Sequence, residues 1–143
     1  MKIAVIDGQG GGIGRLIIEK LRNEFGQDIN IMALGTNAVA TSVMLKAGAN
    51  DGASGENAVV QGAYKADIIL GSVAIIAANA YYGELTTPMA EAVSTSPAHK
   101  LLIPMNRCGI EISSSQDEPL PIQVDQLISR VRFHKCLMSS SGH

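Results

Sequence analysis

The residues best placed to do chemistry in this 143-residue chain are Gly8, Gln9, Gly10, Gly11, Gly12, Ile13 and Gly14. They stand between an apolar run, Ile3 to Ile6, and an amphipathic run. Five glycines in seven positions each cost roughly 0.5–1 kcal/mol of backbone entropy relative to alanine in ordered structure. Such a stretch must serve close approach or left-handed torsions. Read as strand, glycine turn and helix start, it presents free N–H groups and the positive end of a helix dipole, which favour a phosphate or another anion. The plainer alternative is that the glycines serve helix–strand packing alone.

Further groups follow other strand ends. Asn106, Arg107 and Cys108 follow an apolar run and are expected to face the same crevice, Arg107 to clamp a carboxylate or phosphate. Cys108, beside a cation, is either a nucleophile or a small half-buried residue. Asn50, Asp51, Ser54, Glu56 and Asn57 lie in a glycine-punctuated stretch without EF-hand spacing, with Glu56 and Asn57 candidates for substrate contact or a simple helix cap. Asp7 is a candidate base or Mg²⁺ contact, with turn-capping the plainer account. Glu84 precedes a helix and reads as a dipole partner. His99, His134 and His143 lack zinc spacing and read as surface residues, so no metal site is expected. No residue is assigned a catalytic role.

The spacing Gly8-x-x-x-Gly12-x-Gly14 resembles the turn of short-chain dehydrogenases more than a strict G-x-G-x-x-G. NAD(P) or another nucleotide is therefore a candidate cofactor, with Thr36 and Asn37 as further contacts. Yet the second apolar run ends Leu34-Gly35-Thr36-Asn37, where a dinucleotide fold ordinarily offers Asp or Glu to the ribose, or Arg to a 2′-phosphate. The Tyr-x-x-x-Lys pair of those dehydrogenases is absent, as is G-x-x-x-x-G-K-[ST]. The anion-facing turn survives these absences better than the dinucleotide does.

The elements that must position these groups alternate. Apolar runs at Lys2–Asp7, Asp28–Leu34, Asp67–Gly71 and Lys100–Met105 predict strands, with a very short one within residues 48–57 and another at Ile110–Ile112. Helices are predicted after Gly12, over Ala38–Ala47, from Ser54 or Asn57 to about Ala66, from Thr86-Thr87-Pro88 to Ser96, and over Gln123–Met138. Ser72–Ala80 reads equally as strand extension or short buried helix. Arg130, Arg132 and Lys135 read as cations complementing a helix end. The pattern predicts an α/β fold: a single Rossmann-like domain over residues 1–138, with a mainly parallel twisted sheet, helices on both faces and a disordered tail at 139–143.

Composition narrows the classes. With 46% apolar and 17% charged residues and no Trp, the chain reads as an aliphatic globular protein, and the apolar share hints at a homo-oligomer face. A net charge of −2 gives no electrostatic reason for nucleic acid or an anionic membrane surface. Ile68–Ala78, the longest apolar run, is interrupted by Gly71 and Ser72 and is far short of the roughly 20 residues that cross a bilayer. Two cysteines make no disulfide framework and strand-like residues begin at Lys2, so the cytoplasm is the expected location.

The opening IDGQGGGIG, the middle GANDGASGENAVV with ADIILG, and the late NRCGIEI together resemble the small bacterial proteins of domain-of-unknown-function family 3842. The resemblance covers roughly residues 1–135 and implies a short, cytoplasmic, Rossmann-like protein without naming a reaction. Three functions follow as expectations. The first is binding of a nucleotide or another phosphate- or carboxylate-bearing small molecule at the glycine turn, in a sensor or accessory role. The second is a small oligomeric NAD(P)-dependent oxidoreductase or transferase with Arg107 or Glu56 entering a partner's site. The third is an interaction module without a ligand.

Overall fold

Five strands form one parallel sheet in the computed structural model, which describes residues 1–104, 108–114 and 117–141. In chain order the elements are β1 (Lys2–Asp7), α1 (Gly12–Phe25), β2 (Asn30–Gly35), α2 (Ala38–Lys46), β3 (Asp51–Ser54), α3 (Glu56–Lys65), β4 (Ile68–Ser72), α4 (Thr87–Thr95), β5 (His99–Ile103) and α5 (Leu120–Ser141). The spatial order is β3-β2-β1-β4-β5, with Ile3 opposite Ile31 on one side and Ile68 on the other. This is the 3-2-1-4-5 order of a Rossmann-type doubly wound sheet, whose direction of winding reverses between β1 and β4.

Strand periodicity decides which side chain meets which layer. Ile3 and Val5 of β1 face α1, α2 and α5 with Ile17, Leu21, Met44, Val124 and Ile128. Ala4 and Ile6 face α3 and α4 with Val59, Ala63, Met89 and Val93. Both faces are covered, so β1 and β4 are almost continuously apolar, as central parallel strands must be.

Several boundaries differ from expectation for local reasons. Of the two expectations for Ser72–Ala80, the short buried helix is met over Val73–Ile76 as one 3-10 turn: β4 stops at Ser72, whose hydroxyl accepts from Ala74 N at 3.2 Å and starts it. Ile110–Ile112 forms no strand. The last helix starts earlier than Gln123, from Leu120 with Pro121 in its first turn, and runs through Ser141, into the segment read as a tail. Its basic residues therefore lie before the final turn: Arg132 pairs with Glu24 of α1, and Arg130 stacks over Phe133 at 4.9 Å. His134 is half-buried rather than a plain surface residue, its ring 3.9 Å from that of His99.

Arg22 ties two connections together, the one between α1 and β2 and the one between α2 and β3. Its guanidinium donates to the carbonyls of Gly48 (2.8 Å), Gly26 (2.7 Å) and Ile29 (3.1 Å) and to Asn50 Oδ1 (2.6 Å). Asn50 Oδ1 also accepts from Ile31 N at 2.8 Å, so Asn50 serves the fold at the start of β2. Hydrogen bonds to a charged partner contribute more than neutral ones. Arg22→Ala is expected to lower stability by about 2 kcal/mol, and melting on the order of 5–10 °C lower, measured by circular dichroism, checks it.

Candidate functional site

The site begins with where β1 ends. Asp7 is the last strand residue, 3% exposed, and the chain must turn there to enter α1. Its Oδ1 accepts from Gly8 N at 2.8 Å and its Oδ2 from Gly14 N at 2.7 Å, so one carboxylate holds both ends of the glycine turn. The plainer account of Asp7 as a turn cap matches this geometry. Burial pushes its pKa up, opposed by the N–H bonds of Gly14 and Gly8 and by the Tyr81 hydroxyl.

Tyr81 arrives from the segment between β4 and α4. Its hydroxyl donates to Asp7 Oδ1 at 3.3 Å and lies 3.2 Å from Ser72 Oγ, making a chain from Ser72 through Tyr81 to Asp7. Burial, with the negative charge of Asp7, pushes the phenol far above its ordinary pKa, so it stays a neutral donor. The approach needs a glycine at position 8, because a Cβ there would lie 2.7 Å from Tyr81 Cδ2. Nothing in the spacing of Tyr81 marks it as a partner of Asp7, 74 residues away.

These groups wall a cavity of about 1010 Å³ at the reversal point between β1 and β4. Gly8 to Ile13, Ser72, Tyr81, Cys108 and Arg15 are among its lining. Carboxyl ends of strands at such a reversal are where open α/β sheets hold ligands. Among the described lining residues Arg15 is the one cation; its 3.8 Å contact to Glu19 is loose and solvent-exposed, leaving the guanidinium available to an anion. Sequence reading passed over Arg15, although its place three residues into the helix that follows the turn was a signal.

The other expected residues are distributed as follows. Gly8, Gln9, Gly10, Gly11, Gly12, Ile13 and Cys108 line the cavity, while Gly14 sits beneath it on Asp7. Thr36 and Asn37 are outside the lining and face Glu84: Thr36 Oγ1 donates to Glu84 Oε1 at 2.6 Å, Asn37 Nδ2 at 2.9 Å and Gln9 N at 3.1 Å. These bonds, led by that of Thr36, hold the Glu84 carboxyl below its ordinary pKa. Glu84 is thus no dipole partner of α4, whose N-cap is Thr86. Glu56 is also outside the lining and accepts from Thr86 Oγ1 at 2.6 Å; Asn57 is exposed in the first turn of α3. Asn106 and Arg107 lie outside the described residues. Among the described residues no three His, Cys, Asp or Glu side chains gather as metal ligands, and no helix is long and apolar enough to cross a membrane.

The model of the family described as "Domain of unknown function (DUF3842)" matches residues 2–135. No curated protein matches the chain. Among solved structures, the fold is similar to a dodecameric FMN-dependent UbiX-like decarboxylase from Escherichia coli O157:H7, at 14% identity and a TM-score of 0.48, over 91% of this chain and 75% of that one.

Asp7 makes stability depend on pH with a definite sign. A carboxyl whose pKa rises on folding binds more protons in the folded state, so its contribution is full below the unfolded value of ~3.9 and is lost as pH rises through the folded one. The melting temperature of wild type relative to Asp7→Asn is expected to fall as pH rises from about 4. A difference that is flat or rising over that window excludes the assignment.

Proposed function

We propose, for a chain that belongs to the domain-of-unknown-function family DUF3842, that the cavity between β1 and β4 binds a nucleotide or another phosphate- or carboxylate-bearing small molecule on its glycine turn. The observation that carries the proposal is the contrast among the glycines. Packing accounts for Gly8, Gly11 and Gly14: a Cβ would meet the Tyr81 ring at Gly8, lie 2.9 Å from Ala40 Cα at Gly11, and run into Met44 at Gly14. At Gly10 and Gly12 a Cβ would meet nothing within 4 Å, and neither residue has a left-handed φ. The fold itself asks for no glycine at these two positions; close approach of a ligand to the backbone does.

Electrostatics supports the same reading. Asp7 takes up the N–H groups of Gly8 and Gly14, and Gly11 N bonds Gly8 O at 3.0 Å. The N–H groups of Gly10 and Gly12 have no acceptor among the described residues, and both line the cavity with Arg15. They are oriented donors at the positive end of α1, suited to an anion. Tyr81 is committed to Asp7 as a donor, which favours a sensor or accessory role over proton-transfer chemistry. The exposed Ile122, Phe133 and Leu137 of α5 support self-association, and a cytoplasmic homo-oligomer completes the proposal.

Thermal shift with a panel of nucleotides and phosphorylated metabolites tests it. A ligand at about 100 times its dissociation constant adds about 2.7 kcal/mol, on the order of 5–10 °C in melting temperature. Gly10→Ala and Gly12→Ala are expected to melt within about 0.5 kcal/mol of wild type and to lose the shift. A folded wild type that responds to no member, or alanine variants that keep the full shift, overturns the proposal.

A further inference from the structure

We infer that Glu84 fills the dinucleotide half of the crevice with its own carboxylate, so that the cavity takes a compact phosphate or carboxylate compound and rejects an adenine dinucleotide. Given an anionic ligand on the glycine turn, as proposed above, Glu84 is then the residue that sets ligand size.

In a doubly wound sheet of this order, a dinucleotide lays its pyrophosphate on the glycine turn and its ribose at the carboxyl end of the second strand. Here that place is taken. Thr36 Oγ1 and Asn37 Nδ2, just beyond β2, and Gln9 N, on the glycine turn, all donate to the single atom Glu84 Oε1, at 2.6, 2.9 and 3.1 Å. Two hydrogen-bonding walls of a ligand crevice thus converge on one oxygen supplied by the protein. Asn37 Nδ2 also donates to Gln9 O at 3.0 Å, closing the gap between turn and strand end. The cavity is lined by Gln9 and Tyr81 but by none of Thr36, Asn37 and Glu84, so it stops at this contact.

The segment that carries Glu84 is a strap held at several points. Asn79 N bonds Leu85 O at 2.7 Å, Leu85 N bonds Ala80 O at 3.0 Å, Tyr81 is fixed to Asp7, and Thr86 is fixed to Glu56. Asn79, Tyr81 and Tyr82 have φ of 70°, 58° and 57°, a left-handed conformation uncommon outside glycine. Side chains hold such torsions where surrounding contacts over-determine them, and where they do so they cluster at ligand clamps and switches. With these torsions the strap sets Tyr81 over Gly8 and Glu84 at the end of β2.

Isothermal titration of wild type, Glu84→Ala and Thr36→Val with inorganic phosphate, ribose 5-phosphate and NAD tests the inference, with circular dichroism confirming the fold of each. Glu84→Ala is expected to bind NAD at least tenfold more tightly than wild type, with ribose 5-phosphate changed less than threefold. Thr36→Val, which removes one hydroxyl donor and keeps the shape, is expected to move NAD affinity in the same direction by less, and it decides the matter if Glu84→Ala does not fold. Equal NAD affinity in all three proteins overturns the inference and leaves the ligand site standing. A gain of equal size for every anion reports only the lost negative charge and overturns it too. Binding of none of the three compounds to any variant overturns both the inference and the reading of the site.

Discussion

The carboxylate of Asp7 is the constraint on which the rest of the site depends. It is buried at the end of a central strand, where a charge is costly, and it is offset by the backbone N–H groups of Gly8 and Gly14, six residues apart in sequence and adjacent in space. That pair of bonds sets the curvature of the glycine turn and the angle at which α1 leaves the sheet. It also offers a lone pair to Tyr81, through which the strap between β4 and α4 is drawn across the top of β1.

One consequence is a division of labour within the turn. Part of the helix terminus is neutralised from inside by Asp7, while the N–H groups of Gly10 and Gly12, residues that line the cavity, have no acceptor among the described residues. Under the proposed reading, an anion there meets a few backbone amides and Arg15 rather than a full set of helix N–H groups. The same economy appears at the end of β2, where Thr36 and Asn37 are engaged by Glu84. The crevice that topology creates between β1 and β4 is therefore shaped by two internal carboxylates, one beneath the turn and one beside it.

Much of the scaffold was legible in the residues. Continuous apolar runs marked β1, β2, β4 and β5, glycine and asparagine marked the breaks, and Thr86 with Pro88 announced α4, because these signals are local. Ser72–Ala80 was not legible: its apolar content is the same for strand, helix or turn, and the hydroxyl of Ser72 decides for a 3-10 turn. The short run Ile110–Ile112 misled by composition alone. Glu84 misled by position, since a carboxylate just before a helix ordinarily serves that helix, whereas here three donors on distant segments outbid the dipole.

By itself, the sequence determined the α/β alternation, the glycine turn between the first strand and the first helix, and family membership, all carried by neighbours along the chain. Only the tertiary structure decided which glycines the fold consumes and which it leaves over, because that depends on atoms from Ala40, Met44 and Tyr81 that sequence spacing does not bring near. It alone placed Asp7, Tyr81 and Ser72 in one chain and Glu84 against Thr36. Hydrogen bonds between residues 48 to 75 positions apart follow from the parallel sheet's crossovers, which gather the carboxyl ends of all strands at one edge, and no local pattern encodes them.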